Sequence, residues 1–504
     1  MTHFDCWQLR RIVQRQLLIV GSVVLPLVFA GGGSGTTIRG YGPSASGSLL
    51  PHRANPVKRE NRRAGSRSWS LEETAVPPRR IEGFASEVSL LPGQKVHLHV
   101  STAPAARYRI ELYRLGWYHG AGARILACIP AGCHRDRQGK AGRYPQPAPG
   151  TGLAQAAWPV TDTFRFPRST VSGYVLARLV LTRGRAQGEV SYVPLIVRAL
   201  PSRRAQILVQ ASVNTWQAYN NWGGKSLYAY NSTNHVPANH VSFSRPTGAP
   251  LQWEISLFRF LEREGYDVSY TTDVDTDRNP GELRGHRLVI SSGHDEYWTK
   301  EMRDAFEAAR NRGTNLAFLG ADIADWQIRY EHKRRTIVEY RDAATDPITD
   351  PALKTVRFRE LVPARPQCEL LGITYNGLTG NNDPPRSYRV NPGALKDAWF
   401  RRTGFTASST LPDSVGYEWD GIQRGCAVPP LTVLFRYQGL DGYGKPTSAE
   451  AVRYTAPSGA RVFSSGSIQF VWGLDNYLGH PDVPPDPRLQ RFMRNALADL
   501  TSRH

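Results

Sequence analysis

Between residues 206 and 319 the sequence alternates short apolar runs with helical patterns, and this alternation constrains the fold more than any other feature. The apolar runs have the length and composition of buried strands, and they occupy residues 206–210, 287–291 and 315–319. In the segments between them apolar residues recur every three or four positions, which predicts helices that end at Gly265 and Gly313. Strands that alternate with helices predict a parallel sheet covered by helices, a doubly wound α/β domain.

A region of different texture precedes this domain and contains short segments with the pattern of strands. These segments are residues 96–100, 108–113, 173–179 and 192–197. Their residues alternate between apolar and polar or are largely apolar, and clusters of Pro and Gly separate them. We therefore predict a β-sandwich over residues 76–200, followed by the α/β domain over residues 203–504. The expected fold class is all-β followed by α/β.

The first thirty residues have the composition of an export signal. Three arginines precede an apolar run at residues 17–30, which is shorter than the roughly 20 residues that span a bilayer. We expect residues 1–30 to be a signal peptide and the protein to be secreted or periplasmic. The alternative is an uncleaved N-terminal segment that anchors the protein to a membrane. Residues 31–75 are rich first in Gly and Ser and then in Arg, which predicts a disordered basic linker.

The 504 residues include 63 Lys and Arg against 43 Asp and Glu, a formal net charge of +20. Such a positive charge is typical of proteins that bind nucleic acids, but its distribution along the chain argues against such a partner. Residues 1–80 hold twelve basic and four acidic residues, so +8 of the charge lies near the N-terminus. No stretch combines a basic run with a helix-turn-helix, zinc-finger or RNP-like pattern. We therefore expect no nucleic-acid partner.

The cysteines agree with export. Removal of the leader discards Cys6 and leaves an even number, which suits disulfides in an exported protein. Of the three possible pairings we favour Cys128–Cys133 with Cys368–Cys426. A zinc site and free buried thiols are the alternatives, and zinc is disfavoured because no CxxC or nearby His pair accompanies either half.

Polar and aromatic residues follow each of the three predicted strands. The segments are 214–224, 293–298 and 320–326. In doubly wound sheets ligands bind at the carboxyl ends of the strands, where these segments lie. Their occurrence at equivalent strand ends predicts a functional cleft.

Each segment taken alone allows more than one interpretation. His294, Asp295 and Glu296 suit metal binding or acid–base chemistry, but the same residues suit a helix N-terminus. The segment around Tyr219 could be a platform for stacking sugars or the edge of a core. Residues 273–277 resemble the start of a calcium loop but lack its Gly and its final Glu, so we predict a solvated loop.

Four motifs resemble the large (β) subunit of N,N-dimethylformamidase and its relatives. They are TWQAYNNWGG at 215–224, GHDEYW at 293–298, DWQIR at 325–329 and YRLGWY at 113–118. The resemblance covers roughly residues 81–500. It implies an α/β domain similar to class I glutamine amidotransferases without their Cys nucleophile. It also implies an amidohydrolase, because dimethylformamidase hydrolyses the C–N bond of N,N-dimethylformamide to formate and dimethylamine.

The resemblance implies a mononuclear iron, Fe(III), held by two tyrosines and a glutamate. Tyr219 and Glu296 match two of these ligands, and Tyr174 matches the third less closely. A tyrosine packed in the β-sandwich is the alternative for Tyr174. Phenolate and carboxylate are hard oxygen donors, which favour a hard cation.

The remaining site residues also come from the resemblance. His294 and Glu418 would be acid–base groups beside the metal, one of them taking the proton as water attacks the carbonyl. Asp322 stands where the family has Asn, which adds a possible negative charge to the catalytic group. The implied partners are a small amide substrate and a small partner subunit or an oligomer. Export is a departure from the family enzyme.

Two functions are therefore compatible with the sequence. The first is an exported metal-dependent hydrolase of amide-like C–N bonds other than peptide bonds. The second is a non-catalytic exported protein whose aromatic and Asn-rich surface binds a glycan or another polymer.

Overall fold

The computed structural model shows a mixed α/β fold with many strands in several sheets. The structure describes residues 55–71, 80–380, 383, 386–476 and 484–502. The predicted signal peptide and the first part of the predicted linker lie outside the described residues. Within the described part of the chain, no helix is long and apolar enough to cross a membrane.

A large sheet contains a parallel half that holds the strands expected from the sequence. In sheet order its parallel strands are Val268–Thr272, Ile207–Ala211, Leu288–Gly293, Asn315–Gly320 and Arg461–Ser464. Every residue of the first four is buried, as expected for strands covered on both faces. From Ile207–Ala211 the chain crosses to Val268–Thr272 on one side and then to Leu288–Gly293 on the other side. In open α/β sheets ligands bind where the strand order reverses in this way.

The same sheet continues into an antiparallel half that the sequence analysis does not foresee. The added strands are Pro446–Thr455, Thr432–Leu440, Arg386–Val390 and Thr410–Val415. Their burial is irregular, and Thr432–Leu440 ends in exposed residues. These outer strands therefore lack the regular apolar pattern from which a strand can be predicted.

The helices are short, and their ends follow from local sequence. They are Pro56–Glu60, Val213–Tyr219, Ile255–Arg263, Asp273–Arg278, Lys300–Asn311, Cys368–Leu371 and Pro487–Thr501. Lys300–Asn311 begins where the side chain of Thr299 accepts the N–H of Met302. It ends before Gly313, whose φ of 89° suits glycine. Met302 and Phe306 bury its apolar face.

Two antiparallel sheets form the N-terminal part. The smaller contains Glu82–Ala85, Lys95–Ser101 and Asp162–Arg165; the larger contains Ser89–Leu90, Val190–Val197, Gly173–Leu181, Arg107–Leu115, Ala123–Ile129 and Arg137–Gln138. Within the larger sheet Ser89–Leu90 pairs in parallel with Val190–Val197, and the other pairs are antiparallel. The four strand segments predicted from the sequence fall within these elements.

Strand Gly173–Leu181 is buried on both faces. Val175 and Leu179 belong to a core shared with the smaller sheet, while Tyr174 and Leu176 belong to the core that includes the parallel sheet. Side chains alternate between the faces of a strand, so neighbouring residues enter different cores. The larger N-terminal sheet therefore packs between the smaller sheet and the α/β part.

Residues 55–71 are ordered, which corrects the prediction of a linker up to residue 75. Helix Pro56–Glu60 buries Val57, and Trp69 is fully buried. The amide of Asn61 donates to Glu262 Oε2 at 2.7 Å. Because the segment is rich in Arg, a prediction from composition alone misses the few residues that attach it to the rest of the protein.

Residues 273–278 are a buried helix, so the prediction of a solvated loop is wrong. The Thr272 side chain accepts the N–H of Asp275 at the helix start. Asp273 accepts the Asn214 N–H at 2.8 Å, and Asp277 accepts the Thr299 hydroxyl at 2.7 Å. The acidic residues are buried because backbone and side-chain donors satisfy them.

Two further sheets contribute residues near the parallel strand ends. They are His240–Ser242, Thr336–Val338, Trp326–Glu331 and Tyr297–Thr299, and the pair Thr374–Leu378 with Glu418–Gly421. Disulfides join Cys128 to Cys133 and Cys368 to Cys426, which confirms the favoured pairing. The alternatives of a zinc site and of free thiols are therefore wrong for these four cysteines.

Candidate metal centre

Two neighbouring strands of the parallel sheet approach closely at their carboxyl ends. Leu288–Gly293 and Asn315–Gly320 pair in register, with Gly293 opposite Gly320. A Cβ atom on Gly320 would lie 1.8 Å from the Gly293 carbonyl oxygen, so only glycine fits there. Glu296 and Asp322, just beyond the two strands, therefore lie at the same end of the sheet.

Tyr219 reaches this place from the adjacent strand. Strand Ile207–Ala211 leads directly into helix Val213–Tyr219, and Tyr219 is the last residue of that helix. Its hydroxyl donates to Oε2 of Glu296 at 2.8 Å. Two of the three segments predicted to meet are therefore joined by a direct hydrogen bond.

The chain turns back on itself after Tyr219. Gly223 and Gly224 have φ values of 83° and 82°, a conformation that favours glycine. After the turn, the Leu227 N–H donates to the Ala218 carbonyl at 3.0 Å. The turn thereby places the next residue, Tyr228, beside Tyr219.

Tyr228 is a site residue that the sequence analysis missed. Its hydroxyl lies 2.7 Å from the Tyr219 hydroxyl and 2.8 Å from Oε1 of Glu296. The two rings are stacked, with centroids 4.3 Å apart. The available signal was the glycine pair between two tyrosines nine residues apart, which indicates a tight reversal.

His294 and Glu418 also lie close to Glu296. The His294 Nε2 atom is 2.9 Å from Glu418 Oε2 and 3.2 Å from Glu296 Oε2. His294 and Glu296 are almost wholly buried, and the Glu418 side chain is 12% exposed. The structure thus brings together the two residues expected as acid–base groups.

Asp322 completes the group and is also buried. Potential ligand atoms of His294, Glu296 and Asp322 all lie within 4.8 Å of one another. The backbone of Asp322 has a φ of 53°, and its N–H donates to Asp420 Oδ1 at 2.8 Å. That backbone contact holds the Asp322 side chain at the site.

The pKa values of the two tyrosines and of Glu296 shift in opposite directions. Burial, and then the charge of Glu296, raises the pKa of Tyr219 and of Tyr228 well above the ordinary value. Burial opposes a charged Glu296, but the His294 imidazolium and the Arg341 guanidinium hold its pKa below the usual value. Both phenols are therefore neutral and act as hydrogen-bond donors to a carboxylate when no cation is present.

His294 and Asp322 are both held in the protonated form. Burial opposes charge on His294, but the carboxylates of Glu418 and Glu296 outweigh it and raise its pKa to about 10. Burial and then the nearby carboxylates of Asp325 and Glu296 raise the pKa of Asp322 well above its usual value. The site therefore gathers several acidic groups around one imidazolium, and burial with mutual repulsion keeps the Asp322 carboxyl neutral.

Arg341 forms the outer wall of the tyrosine group. Its guanidinium lies 4.1 Å from the centre of the Tyr228 ring and donates to the Tyr297 hydroxyl at 2.5 Å. The Tyr297 hydroxyl in turn donates to the Tyr228 hydroxyl. A continuous chain of contacts therefore runs from Arg341 to Glu296.

Tyr174 lies elsewhere. Its ring stacks on Phe258 with centroids 4.6 Å apart and meets Tyr270 edge-on. Among the described residues its buried hydroxyl has no hydrogen-bond partner in good geometry, and its aromatic contacts do not include Tyr219. The strand alternation that points Tyr174 at helix Ile255–Arg263 explains this position. In this structure the phenol oxygen that lies beside Tyr219 and Glu296 is that of Tyr228.

The donor set suits a hard cation. Two phenol oxygens and a carboxylate lie in mutual contact at 2.7–2.8 Å. Such oxygen ligands favour Fe(III) over softer cations, and a bound metal lowers the pKa of a coordinating phenol. Tyr219, Tyr228 and Glu296 therefore fit the iron that the family resemblance implies.

The fold and the site define an α/β protein with a buried, oxygen-rich candidate cation site at its strand ends. The chain belongs to the N,N-dimethylformamidase beta subunit-like family: the family profile described as "N,N-dimethylformamidase beta subunit-like, C-terminal" matches residues 109–483. This confirms the resemblance seen in the motifs. Membership indicates a dimethylformamidase-like hydrolase.

Other comparisons add little. No curated protein matches the chain. A putative ThuA-like protein from Parabacteroides merdae is 13% identical, over 58% of this chain and 89% of that one, with a TM-score of 0.29. The N-terminal domain of mmIFT52 is 12% identical, over 48% of this chain and 87% of that one, with a TM-score of 0.27. Neither TM-score is high enough to support an argument.

Proposed function

We propose that the protein is an exported, metal-dependent hydrolase of amide-like C–N bonds other than peptide bonds. The observation that supports this most is the direct contact of Tyr219, Tyr228 and Glu296 at the strand ends of a family member. We also propose that the chain folds into an N-terminal β-sandwich followed by a glutamine amidotransferase-like α/β domain. The two disulfides agree with an oxidising compartment outside the cytoplasm.

Tyr219, Tyr228 and Glu296 would hold one Fe(III) ion. The bound ion would supply Lewis-acid polarisation of an amide oxygen. The chain of contacts from Arg341 through Tyr297 orients the Tyr228 phenol toward Glu296. The protein thus presents its oxygen donors in a pre-arranged group, which reduces the cost of assembling the site.

Glu418 is suited to accept a proton from the attacking water. Among the described residues it accepts no tyrosine hydrogen bond, and it is the most exposed carboxylate of the group. Its neighbour His294, 2.9 Å away, stabilises the carboxylate by charge. The proton would then pass from Glu418 to the departing amine nitrogen.

The substrate proposed is a small amide or formamide-like molecule. His294, Glu296 and Asp322 are 3%, 2% and 5% exposed, so the site leaves little room for a polymer. Asp322, where the family has Asn, adds a carboxyl group at the border of this site. A small partner subunit or an oligomer is proposed from the family alone.

The burial of the motif aromatics argues against the glycan-binding alternative. A sugar platform needs exposed ring faces, but Trp216, Tyr297, Trp298 and Trp326 are all at least nine-tenths buried. Trp216 is used inside the protein, where its Nε1 donates to Glu254 at 2.9 Å. These four aromatic residues are therefore packed inside the protein and do not form a binding surface.

The test is hydrolysis of a panel of small amides, including N,N-dimethylformamide and formamide, by the full chain. Release of formate and amine is measured for the wild type, for Glu296→Gln and for Glu331→Gln. Glu331 is a half-exposed glutamate on a neighbouring strand and serves as the matched control. We expect activity in the wild type and in Glu331→Gln, and a loss of at least about a hundredfold in Glu296→Gln.

Two results would contradict the proposal. One is an iron-loaded wild type that hydrolyses no member of the panel. The other is full activity in Glu296→Gln, because the proposed ligand group would then be irrelevant to the chemistry.

A further inference from the structure

Residues 55–71 carry a group of basic side chains on one short ordered segment. The segment contains five bases against one acid, Glu60, which gives it a net charge of +4. Glu60 is 5% exposed, whereas all five bases are exposed. At its surface the segment therefore presents positive charge alone. We call the five bases the basic patch, and they are Lys58, Arg59, Arg62, Arg63 and Arg67.

A helical turn places the bases and the buried residues of this segment on opposite sides. The N–H of Asn61 donates to the Val57 carbonyl at 2.9 Å and that of Arg63 to the Glu60 carbonyl at 3.1 Å, so helical turns continue past Glu60. Residues three and four positions apart lie on the same side of a helix. Val57, Glu60 and Asn61 have this spacing and are buried. The opposite side is exposed and holds four of the bases, Lys58, Arg59, Arg62 and Arg63.

The buried side attaches the segment to the rest of the protein. The side-chain oxygen of Asn61 accepts the N–H groups of Trp117 and Tyr118 at 2.7 and 2.9 Å. Trp69 is fully buried, and its Nε1 donates to the Ala121 carbonyl at 2.9 Å. The bases are therefore held together on a folded surface and do not belong to a loose tail.

The acids beside the basic patch are already engaged. Glu60 accepts a hydrogen bond from Arg124 at 2.6 Å, and Arg63 approaches it only to 3.5 Å. Glu264, next to the glycine that lies beside the segment, accepts two hydrogen bonds from Arg494 at 2.8 and 3.0 Å. In the part of the chain that the structure describes, no acid forms an ion pair with the other four bases, Lys58, Arg59, Arg62 and Arg67.

The grouping of the bases is unfavourable unless an anion lies against it. Lys58 and Arg62 are four residues apart, as are Arg59 and Arg63, and like charges at this spacing destabilise a helix. An anionic partner would replace this repulsion with attraction. The charge of the segment thus points to an interaction outside the folded chain.

The shape and the place of the basic patch favour a lipid bilayer as that partner. The patch covers the outer side of a helical turn, so it can lie against an extended anionic surface. Groups of about four to eight Lys and Arg on a helix or beside an apolar membrane segment bind anionic lipid headgroups. Only residues 31–54 separate the segment from the predicted leader, the part of the chain expected to meet a membrane during export.

We propose that the basic patch holds the protein on a bilayer that contains anionic phospholipids. The lipid phosphates pair with the exposed bases, while Val57, Asn61 and Trp69 keep the segment attached to the folded chain. Each Lys or Arg at such a surface strengthens binding about fivefold, and salt weakens the attraction because it screens charges. The inference shares only export with the proposed function and uses no group at the strand ends, so membrane binding and amide hydrolysis can fail separately.

The test compares two variants that lose the same charge. Full-length protein is sedimented with vesicles of phosphatidylcholine alone or of phosphatidylcholine and phosphatidylglycerol in equal parts, at low and at high salt. The patch variant combines Lys58→Gln, Arg59→Gln, Arg62→Gln and Arg67→Gln. The control variant changes four exposed bases on separate parts of the surface, and combines Arg185→Gln, Arg284→Gln, Arg401→Gln and Lys445→Gln.

We expect the wild type and the control variant to prefer the vesicles with phosphatidylglycerol, and to lose this preference at high salt. The patch variant should bind those vesicles at least about tenfold more weakly than the wild type. An equal loss in the two variants would overturn the inference, because total charge and not the patch would then govern binding. Patch-dependent binding of heparin without any preference between the vesicles would also overturn it and indicate a soluble polyanion.

A second measurement locates the contact even if the apolar run at residues 17–30 binds both kinds of vesicle. Phenylglyoxal modifies accessible arginines, and mass spectrometry shows which of them the vesicles protect. Arg59, Arg62 and Arg67 should be protected by the vesicles with phosphatidylglycerol and not by phosphatidylcholine, while Arg401 stays reactive with both. Equal reactivity of the patch arginines with the two kinds of vesicle would contradict the proposed contact.

Discussion

Tyr174 and Tyr228 differ in what their hydroxyl groups contact. The Tyr228 hydroxyl lies 2.8 Å from Glu296, whereas the Tyr174 hydroxyl is buried without a hydrogen-bond partner in good geometry. Tyr219, Glu296, His294, Asp322 and Glu418 are candidates from the sequence because they stand in or near recognisable motifs, and the structure places them close together. Sequence reasoning misses Tyr228 because a reversal at two glycines, and not a motif, brings this residue to the site.

The two tyrosines give a matched pair of variants. Tyr228→Phe removes an oxygen of the proposed ligand group, so iron binding should weaken by at least about tenfold. Tyr174→Phe removes an unpaired buried hydroxyl, so it should keep iron and change the unfolding free energy by no more than about 1 kcal/mol. Metal analysis and denaturant unfolding of both variants check this. Iron loss in Tyr174→Phe with iron retained in Tyr228→Phe would reverse the assignment.

At the scale of elements, the strands and helices with regular apolar periodicity are predictable and the irregular ones are not. The strands that support the site, such as Leu288–Gly293, are continuous apolar runs, and a prediction from sequence finds them. The helix Asp273–Arg278 is not found, because its acids resemble a solvated loop until their partners on other elements are known. Burial of a polar element depends on contacts that are distant in sequence.

The YRLGWY motif at 113–118 has a structural role at this scale. Arg114, on strand Arg107–Leu115, forms a bidentate ion pair with Glu262 of helix Ile255–Arg263, with both N–O distances 2.9 Å. Both side chains are fully buried, at 0% and 1% exposure. The motif therefore joins the larger N-terminal sheet to the α/β part and lies outside the candidate site.

Arg114→Met should destabilise the protein by about 3–5 kcal/mol, because it leaves the Glu262 carboxylate buried without its partner. The double variant Arg114→Met with Glu262→Met should recover much of this loss, since no buried charge then remains unpaired. Denaturant unfolding of the two variants and the wild type measures both values. Equal losses in the single and double variants would show that the ion pair is not the cause.

At the scale of the whole molecule, composition has little bearing on function. The net charge of +20 suggests a nucleic-acid partner, yet the features that bear on chemistry are a few uncharged and acidic groups at strand ends. The N-terminal sheets and the parallel sheet pack through the alternating faces of strand Gly173–Leu181. The antiparallel half of the large sheet also supports the strand that carries Glu418. Gly421, at the end of that strand, packs against the Ser448 carbonyl of strand Pro446–Thr455.

The most direct test of the central claim is metal removal followed by reloading. A chelator strips the full-length protein, iron is returned stepwise, and the bound iron and the rate of amide hydrolysis are measured on the same samples. We predict a rate that falls as iron is removed and returns in proportion to the iron rebound. A stripped protein that hydrolyses the amide at the untreated rate would contradict it.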